Sequence, residues 1–516
     1  MLVRLRLLHQ CAVRAIVACF FALAVSGPAL SQSLSCPVTT NTTIPFLDQE
    51  TIFLGSAPSC VVEGSGTTFT TLTVADGGAL LNQQGVSGKS VTMVIDSNGS
   101  LQNSGYFQNF GTTSSGYAGS TVTNFGAIYN NGFATLDTTD GTLTNAGNLE
   151  NFGTIDDETG GGGTLNNAGR LVSETSGGFG ALIDVTTVTN AFNASIENDS
   201  TFQSSSLTNN GTFTNTSGAL TLTGSSTNNG TITNGNTFDI YGQLQNNGTL
   251  TNNNFGVITL HSGGTLNAGA GSTLTNDTGI INVTPGGALN NVTGGTLTLG
   301  GQIIVDGTMN AGPGVQLQTG PGFLDPVATL FGTGTINGNV INPDAIVAPG
   351  SVNFIQAGYF PQQFGAGTLT INGNYTQGGG GFLQIDLYGV GAGNFDVLDV
   401  SGLASLNGSV VFTLFNGLTL VAGDDFTFLD AGSLAGDFGG LEIDCPTGDV
   451  CKLVYGANTV SLDILAASTG GSGGTGGSGG TGGGSTNTPE PGSMVLVSAG
   501  MLTLAGLRRR DVIRAR

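Results

Sequence analysis

The chain has very few positive charges, and almost none of them lie outside its two ends. Of its 11 lysines and arginines, only Lys89, Arg170 and Lys452 fall between residues 32 and 507, where they face 32 acidic residues and leave a formal charge of about −29. This balance excludes nucleic acid as a partner, because nucleic-acid affinity comes from cations that meet phosphates. It also excludes docking on an anionic membrane surface.

Residues that carry out most enzyme chemistry are also scarce. His261 is the only histidine beyond the N-terminal segment, and we interpret it as a turn residue. Nucleophilic catalysis needs a base with an orienting partner, and no Gly-x-Ser-x-Gly elbow surrounds a serine near this histidine. No glycine run carries the lysine that a phosphate-binding loop requires. The sequence therefore predicts no catalytic residue, no cofactor and a non-enzymatic protein.

Carboxylates are the remaining candidates for chemistry. The densest groups are Asp156-Asp157-Glu158 and Asp424-Asp425. Polysaccharide-cleaving enzymes use paired acids, but adjacent residues of a strand point to opposite faces, so neither group is a convergent pair. We interpret both as solvated loop acids. A loose Ca²⁺ site at the first group stays open as an alternative, although the sequence assigns no metal ligand.

Cysteine is rare, and four of the six cysteines lie beyond residue 32. Cys36 and Cys60 are near each other in sequence, as are Cys445 and Cys451. In an oxidising compartment this spacing favours two local disulfides, Cys36–Cys60 and Cys445–Cys451. Since no Cys-x-x-Cys spacing is present, a zinc site is not expected.

The N-terminus carries a targeting segment. Three arginines precede an apolar run over residues 15–25, which Gly27-Pro28 ends. This order predicts a secretory signal over residues 1–31, cut by signal peptidase between Ser31 and Gln32. A lipoprotein box over residues 16–19 is disfavoured, because the apolar run continues past its cysteine.

The C-terminus carries a second targeting segment. Pro489-Glu490-Pro491 is followed by an uncharged stretch of 14 residues over 494–507 and then by Arg508-Arg509-Arg510. This order resembles the PEP-CTERM sorting signal of Gram-negative bacteria. The resemblance implies export and then processing by an exosortase-type membrane protease, in bacteria that usually make exopolysaccharide. A membrane span needs about 20 apolar residues, so we expect a short, transient helix here. A plain tail anchor is the alternative.

The middle of the chain is a repeat, which predicts an all-β fold. Thr-Leu-Thr and similar segments alternate polar and apolar residues, as strands with one buried face do. Stacking these short strands gives a parallel β-helix over residues 65–345 with about 13 coils. An antiparallel sandwich would show hairpins every 8–12 residues. We expect the glycine of a recurring Asn-x-Gly unit to supply the positive φ angle of a tight turn. The unit recurs at close to 21 residues, except for one step of 42 that we interpret as two coils, with glycines at 105, 126, 147, 169, 211, 230, 248 and 269.

The repeat resembles haemagglutinin-like and autotransporter passenger repeats, whose β-helices end in a sheet-rich cap. On this resemblance we expect an N-terminal cap over residues 32–64 and a β-rich C-terminal cap over residues 346–467. A flexible Gly/Ser/Thr linker follows over residues 468–487, and the sorting signal occupies residues 488–516.

Threonines recur in the same units. Stacked, they would form a two-column lattice of hydroxyls and methyls, the surface that ice-binding β-helices present. Their steps of 18 to 25 residues predict an irregular lattice. Thr-x-Thr or close variants begin at Thr121, Thr142, Thr164, Thr187, Ser206, Thr231, Thr249, Thr273 and Thr296.

The sequence thus predicts an exported structural or adhesive protein of the cell surface or extracellular matrix. Its partners would be the secretory signal peptidase, the exosortase-type protease and exopolysaccharide, the last held through many weak contacts. It would touch the membrane only through the transient C-terminal helix. The alternatives are a polysaccharide-active β-helix enzyme and a threonine-array ice-binding protein.

Overall fold

The structure is a computed structural model that describes residues 99–466 with short gaps, and only seven strands before residue 99. All of these belong to the first of two compact units, Met1–Ala467. The predicted signal peptide, linker and C-terminal helix lie outside the described residues, as do the side chains of Cys36 and Cys60. No helix in the described part is long and apolar enough to cross a membrane. The gaps are 110–111, 115–119, 133, 158–161, 176–179, 292–295, 313, 318–327 and 354–361.

The fold is a parallel β-helix built from three sheets, and a typical coil contributes one strand to each of them. Within a coil the chain passes through sheet I, then sheet II, then sheet III. Sheet I contains Thr42–Ile44, Thr70–Val74, Gly99–Asn103, Thr121–Asn124, Thr142–Asn145, Thr164–Asn167, Thr187–Asn190, Ser206–Asn209, Ser225–Asn228, Gln243–Asn246, Thr265–Ala268, Ala288–Asn290, Thr308–Asn310, Thr335–Asn337, Thr368–Asn372, Val397–Leu406 and Asp425–Gly436.

Sheets II and III complete each coil. Sheet II contains Gln32–Ser33, Gln49–Thr51, Ala79–Asn82, Tyr106–Asn109, Ala127–Asn130, Asn148–Asn151, Arg170–Ser173, Ser195–Asn198, Thr212–Asn215, Thr231–Asn234, Thr249–Asn252, Thr273–Asn276 and Thr296–Leu299. Sheet III contains Ser59–Val62, Thr92–Ile95, Thr112–Ser114, Thr135–Asp137, Thr154–Asp156, Leu182–Asp184, Thr201–Ser204, Ala219–Leu222, Thr237–Ile240, Val257–Leu260, Ile280–Val283, Gln302–Val305, Thr329–Gly332, Ile346–Pro349, Phe382–Leu387, Ser409–Leu414 and Gly440–Glu442.

The coils stack in register. Thr121 pairs with Thr142 and Asn124 with Asn145, and the next coil repeats the pairing through Thr164. The prediction of stacked coils is therefore confirmed, and the antiparallel sandwich is wrong. Most strands show the burial pattern that period two demands: the second and fourth side chains point in, while the first and third point out.

Two side chains of each typical strand therefore enter the core: one apolar and one polar in sheets I and II, and two apolar ones in sheet III strands such as Thr237–Ile240. The apolar positions stack as continuous columns of leucine, isoleucine, valine and phenylalanine with almost no exposed surface. Burying one such side chain contributes about 1.5–3 kcal/mol, so each added coil extends the core by several such contributions. The polar positions in sheets I and II are nearly all asparagine.

The asparagines at the ends of the sheet I strands form a buried ladder. From Asn103 to Asn228, each side-chain amide donates one hydrogen bond to the amide oxygen of the next asparagine, at 2.7–2.8 Å, and Asn246 ends the series. Each amide also donates to the backbone carbonyl oxygen of the first residue of the sheet II strand in the following coil, at 2.8–3.0 Å. This ladder contains Asn103, Asn124, Asn145, Asn167, Asn190, Asn209, Asn228 and Asn246, all at most 1% exposed.

A second buried ladder follows the ends of the sheet II strands. Its asparagines bond to one another at 2.8–2.9 Å. Ser173 takes one of its positions and accepts a longer bond of 3.4 Å from Asn151. Two of the three corners of the coil are thus held by polar columns inside the core. The members are Asn109, Asn130, Asn151, Ser173, Asn198, Asn215, Asn234, Asn252 and Asn276.

The glycine of each Asn-x-Gly unit is needed for the close approach of successive coils. A Cβ on Gly126 would overlap the carbonyl oxygen of Gly105, and one on Gly147 would overlap that of Gly126. These glycines do not have positive φ angles, so the expectation that they supply a left-handed turn is wrong. Gly269 does not align with Gly248 of the coil before it. Ala268 pairs with Asn246, so Gly269 lies one position too early.

The parallel coiling continues past residue 345. Sheet II ends at Thr296–Leu299, and beyond it the strands Val315–Gln316, Val340–Asn342 and Tyr375–Gln377 join sheet I. Thr368–Asn372 and Tyr375–Gln377 then pair with the two halves of Val397–Leu406. An antiparallel pair, Ser351–Asn353 with Gln362–Gly365, interrupts these coils.

Two antiparallel strands close the C-terminal end. Asp449–Tyr455 pairs with Thr459–Ala466, which in turn pairs with Asp425–Gly436. This hairpin covers the edge of the last long strand, which would otherwise expose unpaired backbone groups. A disulfide joins Cys445 to Cys451 at the base of the hairpin, with their Cα atoms 5.9 Å apart.

We predict that Asn228→Ala strongly destabilises the protein. Asn228 accepts from Asn209 and donates to Asn246 and to the Thr249 carbonyl, so its removal leaves buried polar groups unpaired at a cost of about 3 kcal/mol. Urea unfolding followed by circular dichroism measures the loss. Asn229→Ala is the matched control, because this neighbouring amide is exposed and surface substitutions change stability by about 0.5 kcal/mol or less. Equal effects of the two substitutions would contradict a role for the ladder.

Candidate functional site: the outer faces of the coils

Ten threonines form two straight columns on the outer face of sheet II, and we call them the threonine array. They occupy the first and third positions of five successive strands, which pair residue by residue without a shift. The starting residues are 18 to 24 apart in sequence, yet the strands remain aligned because the connecting segments take up the difference. The prediction of an irregular lattice is wrong here. The array contains Thr212, Thr214, Thr231, Thr233, Thr249, Thr251, Thr273, Thr275, Thr296 and Thr298.

The nine predicted Thr-x-Thr segments do not share one face. Those beginning at Thr121, Thr142, Thr164, Thr187 and Ser206 lie on sheet I, and the other four lie on sheet II. The sequence scan also missed the segment at Thr212, which opens the threonine array. On sheet I the outer columns are interrupted by asparagine and serine, for example at Asn166 and Ser225.

The array is chemically uniform. Every outward position of its five strands is a threonine, so none carries a charge. None of the ten hydroxyls has a hydrogen-bond partner among the described residues. The face can therefore offer its hydroxyl and methyl groups to whatever lies outside it.

The N-terminal half of sheet II has a different surface, which we call the aromatic patch: Tyr106, Tyr129 and Phe152 with Glu150 and Arg170. The rings of Tyr129 and Phe152 are 4.9 Å apart. Burial, with Tyr129 and Glu150 nearby, raises the pKa of Tyr106, so this phenol stays neutral. The patch combines partly exposed rings with polar groups.

Arg170 links the patch to its neighbours on both sides. Its guanidinium donates to Asn148 Oδ1 at 3.3 Å and lies 3.5 Å from a carboxylate oxygen of Glu197. Asn148 in turn donates to Glu150 at 3.1 Å. The result is a charged and hydrogen-bonding network spread over adjacent coils. Such an arrangement can meet an extended polar ligand.

His261 has an orienting partner that the sequence did not show. Its Nε2 lies 2.8 Å from Asp239 Oδ1, and its ring stacks on Tyr241 with centroids 3.9 Å apart. The residue follows strand Val257–Leu260, at the turn where we expected it. Asp239 lies in the coil before His261, so the pairing depends on the stacking register and could not be read from sequence distance.

Carboxylates stack on sheet III. Asp137 pairs with Asp156, which pairs with Asp184 in the next coil, and we call these three the acidic column. Asp157 is buried and accepts a hydrogen bond from the Thr186 backbone amide at 2.7 Å. Burial and the charge of Asp157 raise the pKa of Asp184. Asp156 and Asp157 therefore point to opposite faces, as the sequence predicted, but the interpretation of both as solvated loop acids is wrong, because Asp156 lies in a strand and Asp157 is buried.

Neither predicted acidic group forms a metal centre in the described residues. Glu158 lies outside them, and no cluster of three or more possible ligands occurs within them. Asp424 accepts from the Val421 backbone amide at 2.8 Å and so fixes a turn.

A buried carboxyl pair occurs at two positions that no sequence pattern indicated. Asp386 and Asp396 have no exposed surface. Asp396 accepts hydrogen bonds from the backbone amides of Asp386 and Gly367, each at 3.0 Å. Burial raises the pKa of Asp386 to about 6. Burial and the Asp386 charge raise the pKa of Asp396 to about 8.

Of the predicted processing residues, Gln32 begins the described strand Gln32–Ser33, whereas Ser31 and the C-terminal processing residues lie outside the described residues. The profile of the PEP-CTERM protein-sorting motif matches residues 487–510. The matched segment includes Pro489, Glu490, Pro491, Arg508, Arg509 and Arg510. The motif is the recognition signal of exosortase, so the chain carries the address of an exported protein. No curated protein is significantly similar to the chain.

We predict that stability falls as pH rises from about 5 to 8. An unfolded aspartate titrates near 3.9, whereas Asp386 and Asp396 hold their protons up to about 6 and about 8. Because the folded state binds more protons across this window, its stabilisation is complete below the unfolded pKa and is lost as pH rises.

Thermal unfolding of Asp386→Asn tests this pH dependence. The substitution removes one titrating group and the charge that raises the pKa of Asp396, so the loss of stability between pH 5 and 8 should shrink. Asp444→Asn, at an exposed carboxylate, is the control. If the unfolding temperatures of all three proteins fall in parallel, the buried pair does not cause the dependence.

Proposed function

We propose that this chain is an exported, non-enzymatic structural or adhesive protein of the cell surface or extracellular matrix, and that it contacts exopolysaccharide. The sorting signal shows export, and the outer faces support the rest. The observation that carries the proposal is the regular repetition of uncharged hydrogen-bonding side chains along the coils. A polysaccharide is itself a repeating ligand, so a periodic surface can meet it at many equivalent points.

Sheet I supplies one such surface. Five outward asparagines donate to one another across successive coils at 2.6–2.8 Å, which leaves the rest of each amide free to bond outside the protein. Parallel strands are about 4.8 Å apart, so these amides repeat at that distance. The asparagines are Asn267, Asn290, Asn310, Asn337 and Asn372.

The aromatic patch supplies stronger contacts. Partly exposed tyrosine and phenylalanine rings offer an apolar face and, for tyrosine, a polar edge. A sugar ring has both C–H faces and hydroxyls, and the network of Asn148, Glu150 and Arg170 provides partners for the hydroxyls. We therefore place the principal sugar contact at the patch and weaker contacts along the outward asparagines of sheet I, in the manner of adhesive passenger repeats.

We predict that Tyr129→Ala weakens binding to exopolysaccharide from the producing cells by about tenfold, because one aromatic contact contributes about 1–1.5 kcal/mol. Immobilised polysaccharide and purified mature protein give the affinity. Tyr241→Ala is the matched control, since this exposed tyrosine belongs to a different part of the coil. Unchanged binding by Tyr129→Ala would contradict the patch.

The same purified protein and polysaccharide test the proposal that the chain is not an enzyme. We expect no new reducing or unsaturated sugar ends after prolonged incubation. Their release would favour the polysaccharide-active enzyme, with Asp137, Asp156 and Asp184 as the candidate acids, because paired carboxylates carry out glycoside hydrolysis.

We also predict that the mature surface protein lacks residues 494–507. Cleavage near Pro489-Glu490-Pro491 would remove the apolar segment together with the basic cluster, whose arginines favour the cytoplasmic side. Mass spectrometry of the surface protein is the measurement, and cells without the exosortase are the control, in which the segment should persist. A tail that stays attached in exosortase-containing cells would identify an ordinary membrane anchor.

A further inference from the structure

The threonine array has a geometry that the proposed sugar contacts do not use. Its columns repeat at about 4.8 Å between strands and about 6.6 Å along each strand, which gives a nearly rectangular net. These two repeats are close to the spacings of oxygen atoms on the prism planes of hexagonal ice. A surface matches a crystal plane only if the match persists over several repeats, and here five strands remain in register.

The side chains of the array are held rigidly from below. Each strand from Thr212 to Asn276 ends in an asparagine of the second buried ladder. The carbonyl oxygen at the start of the same strand accepts from an asparagine of the first ladder, at Thr212, Thr231, Thr249 and Thr273. Threonine is also β-branched and therefore stiff at χ1.

The chemistry of the array suits ordered water. The ten hydroxyls have no hydrogen-bond partner in the described part of the chain, so each can donate and accept a hydrogen bond, while the methyl groups between them limit the positions that water can take. No charge interrupts the net, whereas the rest of the same sheet carries Glu150, Arg170 and Glu197. Ice excludes ions, so an uncharged face is the one that can join its lattice.

We propose that the threonine array is an ice-binding surface, on which hydroxyl and methyl groups order water into the arrangement of an ice crystal plane. This function is separate from sugar binding at the aromatic patch and stands or falls independently of it. It would let one protein attach its producing cell or matrix to ice and slow the growth of the crystal planes that it covers.

The repeat supplies a matched pair of substitutions. Thr-Leu-Thr-Asn occurs at residues 249–252 in the array and at residues 142–145 on sheet I. Thr251→Lys places a charged, bulky side chain in the middle of the array. Thr144→Lys makes the same change at the equivalent position of an identical strand on the other sheet, where the columns are interrupted.

The experiment measures partition of the purified mature protein into a slowly growing ice hemisphere, together with inhibition of ice recrystallisation. We expect the unaltered protein and Thr144→Lys to enter the ice and Thr251→Lys to be rejected. All three proteins should give the same circular dichroism spectrum and bind polysaccharide equally. If the unaltered protein stays in the liquid, or if Thr251→Lys partitions as well as Thr144→Lys does, the proposal is overturned.

Discussion

A buried asparagine amide is stable only when all its hydrogen-bonding groups are paired, and the rest of this structure depends on that constraint. A ladder amide inside the stack, such as Asn228, gives both hydrogens to the next coil and receives one from the coil before. A slip of one residue would turn these amides outward and bury threonines instead. Leaving the amides inside but unpaired would cost several kcal/mol per coil. The ladders thus fix register more strictly than the interchangeable leucines and isoleucines beside them could.

Register inside the core determines order on the surface, because side chains alternate along a strand. When Asn215, Asn234 and Asn252 are aligned inside, the threonines one residue before them are aligned outside. Insertions must then fall in the connecting segments, as between Asn252 and Thr273, where the coil is longest in the array. A repeat of uneven length can in this way carry a regular outer lattice.

Local pattern predicted the strands, the inward apolar residues and the stacking, since these depend on period two and on recurrence along the chain. It did not predict which way the asparagines point, because the same Asn-x-Gly letters describe a tight turn and a buried ladder. The division of the threonine segments between two sheets was also hidden, as both sheets use the same sequence unit. The contact of His261 with Asp239 requires the stacking register itself, and that of Asp386 with Asp396 requires the path of the segment that joins them. The sorting signal could be recognised without the structure, because it is defined by the order of its residues.

The same stacking lets one helix present different surfaces without conflict. Position within the coil selects the sheet, and position along the helix selects the coil, so a substitution changes one small area of one face. The acidic column lies on sheet III, the row of outward asparagines on sheet I, and sheet II changes from the aromatic patch to the threonine array after Ser195–Asn198. Because the internal ladders carry most of the specificity for register, the outer residues are free to vary in chemistry. A chain with so few charges and a simple repeat can therefore hold several chemically distinct surfaces.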